Sequence, residues 1–210
     1  MLGRPRPAKP DSSASYAVLW ASLRKRFPGL RTILVTAASY SDDATVAALG
    51  VVEAAVGLDG GAGLVLVLDA AMRDRRHPDP PGPSVQIIVA LSVGQVRTVL
   101  SELDDEFGVV IIVAPPPQQG TECIAIAGAA DAAILVARSG KTRFAEAQLA
   151  AELLRHAGVT TAASLLLTRR APGRPVEAQA VTADGQIAEL RPRAQLEARG
   201  EPSVGIELLN

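Results

Sequence analysis

Thr36-Ala37-Ala38-Ser39-Tyr40-Ser41-Asp42-Asp43-Ala44-Thr45 joins an apolar, β-branched run, Thr32-Ile33-Leu34-Val35-Thr36, to an alanine-rich helical pattern over 44–57. Strand, short loop and helix in that order make a phosphate cradle when the loop follows G-x-x-x-x-G-K-[ST]. Its glycines let backbone N–H groups curl around phosphate oxygens, and its lysine reaches them. Of those parts only the last hydroxyl, Thr45, is present. The stretch therefore predicts the architecture of a phosphate-binding fold without its chemistry.

Upstream, Tyr16, Leu19, Trp20 and Leu23 recur at i, i+3, i+4 and i+7, the spacing of one helical face, before Pro28-Gly29 stops the pattern. Residues 1–14, rich in Pro and Ser with no apolar signal-peptide core, read as a disordered tail. Downstream, strands are expected at 64–69, 85–89, 109–113, 132–137 and 163–168. Helices are expected at 94–107, 122–129 and 142–157. The strand runs are continuously apolar rather than alternating, which argues for a parallel sheet covered on both faces. The expected fold is α/β, a doubly wound, mostly parallel sheet over 15–170. Beyond it, 177–181 and 186–190 flank Thr182-Ala183-Asp184-Gly185, a hairpin turn in a C-terminal appendage of 171–210.

With 210 residues, 48% of them hydrophobic, the chain holds enough apolar material for one full-sized core. A net charge of -1 gives no general attraction to nucleic acid or anionic lipid. The one cysteine, Cys123, excludes an internal disulfide, and no apolar run reaches the ~18 residues of a membrane span. A soluble, cytoplasmic protein is the expectation.

The lead helix, Ile33-Leu34-Val35-Thr36, Val67-Leu68-Asp69 with Ala70-Ala71-Met72-Arg73, Val110-Ile111-Ile112-Val113-Ala114-Pro115-Pro116 and Ala133–Thr142 together carry a resemblance. Over roughly residues 14 to 170 the chain resembles the cytoplasmic domain of bacterial tyrosine kinases of capsular and exopolysaccharide export, within the deviant P-loop group of MinD- and ParA-like ATPases. Against that family's T-S-x-x-x-G-E-G-K-[ST]-T, Ser41 and Asp43 replace the glycines and Ala44 the lysine, while Asp42 stands where an acid is common. A carboxylate about 5 Å from a phosphate repels it by roughly 1 kcal/mol in water and ~3 kcal/mol at an effective dielectric of 20.

The family's D-A-D pattern falls on Asp69-Ala70-Ala71, and Val113 replaces the metal-site aspartate of I-I-D-x-P-P. Valine offers magnesium no oxygen, and phosphoryl transfer depends on that metal and on the lysine. The oligomerisation pattern E-x-x-R-x-x-R falls on Ala14, Ala17 and Trp20, the base-reading asparagine on Thr168, and the C-terminal tyrosine cluster has no counterpart.

The resemblance thus implies a catalytically inactive adaptor of polysaccharide biosynthesis or export. It would sit at the inner membrane through a co-polymerase partner, as monomer or dimer, and bind neither cofactor nor metal. Its vestigial nucleotide site would comprise Ser41, Asp42, Asp43, Ala44, Thr45, Asp69, Ala71, Val113 and Thr168. Two other readings stay open: a MinD-like pseudo-ATPase positioning factor for a pilus or secretion system, and altered chemistry with Asp42, Asp43 and Asp69 around a cation.

Away from the loop, Arg73, Arg75 and Arg76 with His77 can hold an acidic partner through bidentate donors, or can be a solvated loop. Asp42 or Asp43 can simply cap the helix, and Asp69 can satisfy the loop that follows it. Cys123 and Trp20 read as core, and His156 as a donor at a helix C-terminus.

Overall fold

The structure, a computed structural model, describes residues 12–40, 44–59, 64–71, 82–89, 92–103, 107–169 and 176–182. Its centre is β1 (Thr32–Ala37), whose six residues are enclosed on both edges by parallel partners, β4 (Phe107–Ala114) and β5 (Ala132–Arg138). Outward from β4 lie β2 (Leu64–Asp69) and β3 (Val85–Val89); outward from β5 lie β6 (Thr161–Arg169) and β7 (Val176–Thr182). The order β3-β2-β4-β1-β5-β6-β7 is doubly wound, parallel except for β7, and the mostly parallel sheet expected from the apolar runs is confirmed.

Helices cover both faces of the sheet's centre, so β1, β2, β4 and β5 are apolar on both sides. Ile33, Val35, Ile111 and Val113 point towards α1 (Ser12–Arg26) and α2 (Ala44–Leu58). Leu34, Leu68, Val110 and Ile112 point the other way, into a second core. That core is built with α3 (Val93–Glu102), α4 (Thr121–Ala127) and α5 (Phe144–His156). A period-2 strand between two apolar layers cannot show alternation, and these four show none.

α1 buries the predicted face, Tyr16, Leu19, Trp20 and Leu23, against α2. Gly50 of α2 is the close-approach point: a Cβ there would overlap the Tyr16 ring. Trp20 Nε1 donates to Asp59 Oδ1 (3.1 Å), and Arg24 donates to Asp59 Oδ2 from Nη2 (2.7 Å) and Nε (3.3 Å). Arg24 Nη1 also donates to Leu30 O (2.9 Å), so one side chain closes the end of α1 onto the end of α2. At the lower end of the sheet Asp131 accepts from the backbone N–H groups of Arg31 and Thr32, fixing the start of β1 against β5.

Several boundaries differ from the sequence reading. α1 starts at Ser12, inside the stretch 1–14 read as tail, because the turn before Tyr16 continues the helix outward from its anchored face. α3 ends at Glu102 and not near 107, since Phe107 already pairs with Leu64 as the first residue of β4. The strand read at 177–181 is β7, which pairs antiparallel with β6 from Ala163↔Thr182 to Arg169↔Val176. The boundary placed at residue 170 therefore separates two strands of one sheet; the expected hairpin partner at 186–190 lies outside the described residues. Among the described residues no helix is long and apolar enough to cross a membrane.

Candidate functional site

In a doubly wound sheet, ligands bind beyond the carboxyl ends of the strands, beside the central strand. β1, β2 and β4 bring Ala44, Thr45, Asp69, Ala71 and Val113 together there. Asp69 ends β2 in register with Val113, and Val113 pairs with Val35 on its other side. Ala70 N–H donates to Val113 O (2.9 Å), which carries the ladder one step past the strand.

Thr45, in the first turn of α2, donates from Oγ1 to Asp69 Oδ2 (3.2 Å). The other carboxylate oxygen, Oδ1, accepts from Ala71 N–H (2.8 Å), an Asx-type closure of the loop after β2. Asp69 is fully buried and Thr45 nearly so. The hydroxyl and the carboxylate are thus turned towards each other, and the loop-satisfying role weighed for Asp69 is the one its geometry has.

Thr168 stands in β6, on the far side of β5, so backbone position alone separates it from this group. Ser41, Asp42, Asp43, Arg73, Arg75 and Arg76 lie outside the described residues, so of the carboxylate trio Asp42, Asp43 and Asp69 only the last is placed. Among the described residues no group of three or more His, Cys, Asp or Glu side chains could hold a metal ion.

Behind the loop, Thr36 Oγ1 donates to Pro115 O (2.9 Å) and accepts from Cys123 Sγ (3.6 Å). Burial first, opposed by the Thr36 hydrogen bond, pushes the Cys123 thiol up to about 11, so this cysteine is a core group and not a nucleophile. His156 Nδ1 lies 2.8 Å from Glu152 O in the last turn of α5, where the ring N–H caps a carbonyl as expected.

Sequence reasoning missed a cleft beside this group. A cavity of about 700 Å³ opens between the loops after β1, β4 and β5, bounded by Tyr40, Gln118, Gln119, Lys141 and Arg143. Gln118 Nε2 holds two of its walls, donating to Ala38 O (3.1 Å) and Glu146 O (2.9 Å). The loop after β5 turns at Gly140, whose φ of 73° suits glycine. Its signal was present in Ser139-Gly140-Lys141-Thr142, a turn carrying an exposed cation at a carboxyl-end position, but nothing in sequence places Gln118 opposite it.

The fold is α/β, a doubly wound, mostly parallel sheet with a P-loop NTPase-like architecture. The fold is similar to that of the kinase domain of the Escherichia coli tyrosine kinase ETK, with TM-score 0.60, 16% identity, and 83% of this chain covering 87% of that one. It is also similar to the BceF tyrosine kinase domain (TM-score 0.57, 21% identity, 73% of this chain and 76% of that one). The chimerical protein CapA2B2 matches with TM-score 0.61 at 13% identity, over 79% of this chain and 87% of that one. No family model and no curated protein sequence matches the chain.

Proposed function

We propose that the protein is a catalytically inactive, tyrosine-kinase-like adaptor of polysaccharide biosynthesis or export, docking on an inner-membrane co-polymerase partner. One observation carries this reading: the Thr45 hydroxyl is engaged by Asp69 in a buried pair, with Ala44 in the lysine position and Val113 in the metal-carboxylate position. Electrostatic stabilisation of a transferring phosphoryl group needs cations aimed at it, and neither Ala44 nor Val113 supplies or holds one. The similarity to tyrosine kinase folds supports the polysaccharide setting.

Calorimetric titration with ATP and ADP, with and without magnesium and sensitive to millimolar affinity, tests inactivity. No heat attributable to the Thr45 site is expected. Co-purification with a polysaccharide co-polymerase from cells producing both tests the adaptor role. A phosphotyrosine signal on this protein that disappears in Thr45→Ala would sink the reading.

A further inference from the structure

β3 is one edge of the sheet, and it lacks the devices that ordinarily keep such an edge from pairing: charge, proline or a bulge. Val85-Gln86-Ile87-Ile88-Val89 has no charged residue and no proline, and its register with β2 runs from Val65↔Val85 to Asp69↔Val89 without a shift. β7, at the opposite edge, carries Glu177. Ile87 and Ile88 are only partly buried, one against each core, so both cores reach solvent at this strand. The register also fixes which backbone groups face outward. Val65 N–H donates to Ser84 O (2.8 Å), which turns Ser84, and with it Gln86 and Ile88, towards β2. Alternate residues of a strand present their N–H and C=O groups to opposite sides, so Val85, Ile87 and Val89 present theirs to the outer edge. Val85 N–H donates to Gly82 O (3.2 Å), and among the described residues no strand lies beyond the rest.

We propose that β3 is the contact of a two-fold dimer, pairing antiparallel about Ile87 with the β3 of a second copy of this chain, so that two seven-stranded sheets become one. A two-fold axis at Ile87 sets Val85 opposite Val89 and Ile87 opposite Ile87, so every residue with outward backbone groups meets another of its kind. It sets Gln86 opposite Ile88 and brings no like charges together along the strand. The occupant is a second copy because an isologous contact requires the strand to fit its own reverse, and V-Q-I-I-V differs from its reverse only by the exchange of Gln86 and Ile88. Pairing extends both cores across the edge, Ile87 on one face and Ile88 on the other. The inference goes beyond the adaptor reading and survives its failure.

The test is sedimentation equilibrium of the full chain up to millimolar concentration, where a monomer–dimer equilibrium is expected. Gln86→Lys, at an exposed position, should weaken the dimer at least tenfold by setting a cation opposite Ile88 of the second copy, and Gln86→Val should tighten it several-fold. Ile87→Cys should give a covalent dimer with oxidised glutathione, since the native Cys123 is buried. Val85→Cys should not, because the axis sets the two copies of that position apart. A single-chain mass at millimolar concentration would overturn the proposal. So would a dimer indifferent to Gln86→Lys, which would place the contact on another surface, or cross-linking through Val85→Cys and not through Ile87→Cys, which would mean another register.

Discussion

Thr45 Oγ1 and Asp69 Oδ2 stand 3.2 Å apart in the core side of the loop, joining the first turn of α2 to the last residue of β2. Their removal is not symmetrical. Asp69→Ala orphans the buried Thr45 hydroxyl, at about 1–3 kcal/mol, and also strips the part-buried Ala71 N–H of its acceptor, whereas Thr45→Val removes one donor from a carboxylate that keeps Ala71. Urea unfolding should show Asp69→Ala as the more costly change by at least about 1 kcal/mol; equal costs would mean that the pair is not coupled.

Asp59 holds three donated hydrogen bonds from α1, so Asp59→Ala is expected to cost about 1–3 kcal/mol. The pair it forms with Arg24 is about one-third exposed on each side, and the ion pair alone contributes little. Trp20 is the single tryptophan, so the loss has its own signature. Its emission should shift to the red in the variant before global unfolding. An unchanged spectrum would show that Asp59 does not hold α1.

Gly50→Ala tests the close approach of α1 and α2. Alanine favours a helix over glycine by about 1 kcal/mol, but overlap with the buried Tyr16 ring costs about 1–3 kcal/mol, and the net sign should be destabilising. In a Tyr16→Ala background the same change should become neutral or stabilising. A double-mutant cycle with no coupling would refute the contact.

Alkaline stability follows from two neutral buried acids. Burial first, then the charge of Glu53, pushes Tyr16 from 10.0 up to about 12, and burial raises Cys123 from 9.0 to about 11. A folded-state value above the unfolded one means that the stability is complete below pH 9, falls from 9 to 11 through Cys123 and from 10 to 12 through Tyr16. Tyr16→Phe should flatten the decline above pH 10, as read by denaturant midpoints at successive pH values. A wild-type midpoint constant up to pH 12 would contradict it.

The sheet was legible because its strands are unbroken apolar runs separated by helical periodicity, and β1, β2, β4 and β5 fall within a few residues of their expected bounds. The face of α1 was legible for the same reason, down to Trp20 as core. β7 was visible as a strand but not as a neighbour of β6, since a short run beyond a loop carries no address for its partner. Asp69 and Thr45 could be named from motif position, yet their hydrogen bond depends on how far β2 extends beyond α2, which only the register supplies. The Lys141–Arg143 cleft was illegible because its walls come from three loops brought together by strand order, and each looks like an ordinary connection alone.

The position of β1 sets an order of events during synthesis. Its first partner, β4, begins at Phe107, and its second, β5, is complete only at Arg138. At about 5–20 residues per second, the central strand of the nascent chain waits about 5–20 s before both of its edges are enclosed. Truncation or stalling before Ala132 would leave β1 with one edge bare, the state in which a hydrophobic strand finds another chain in place of its own.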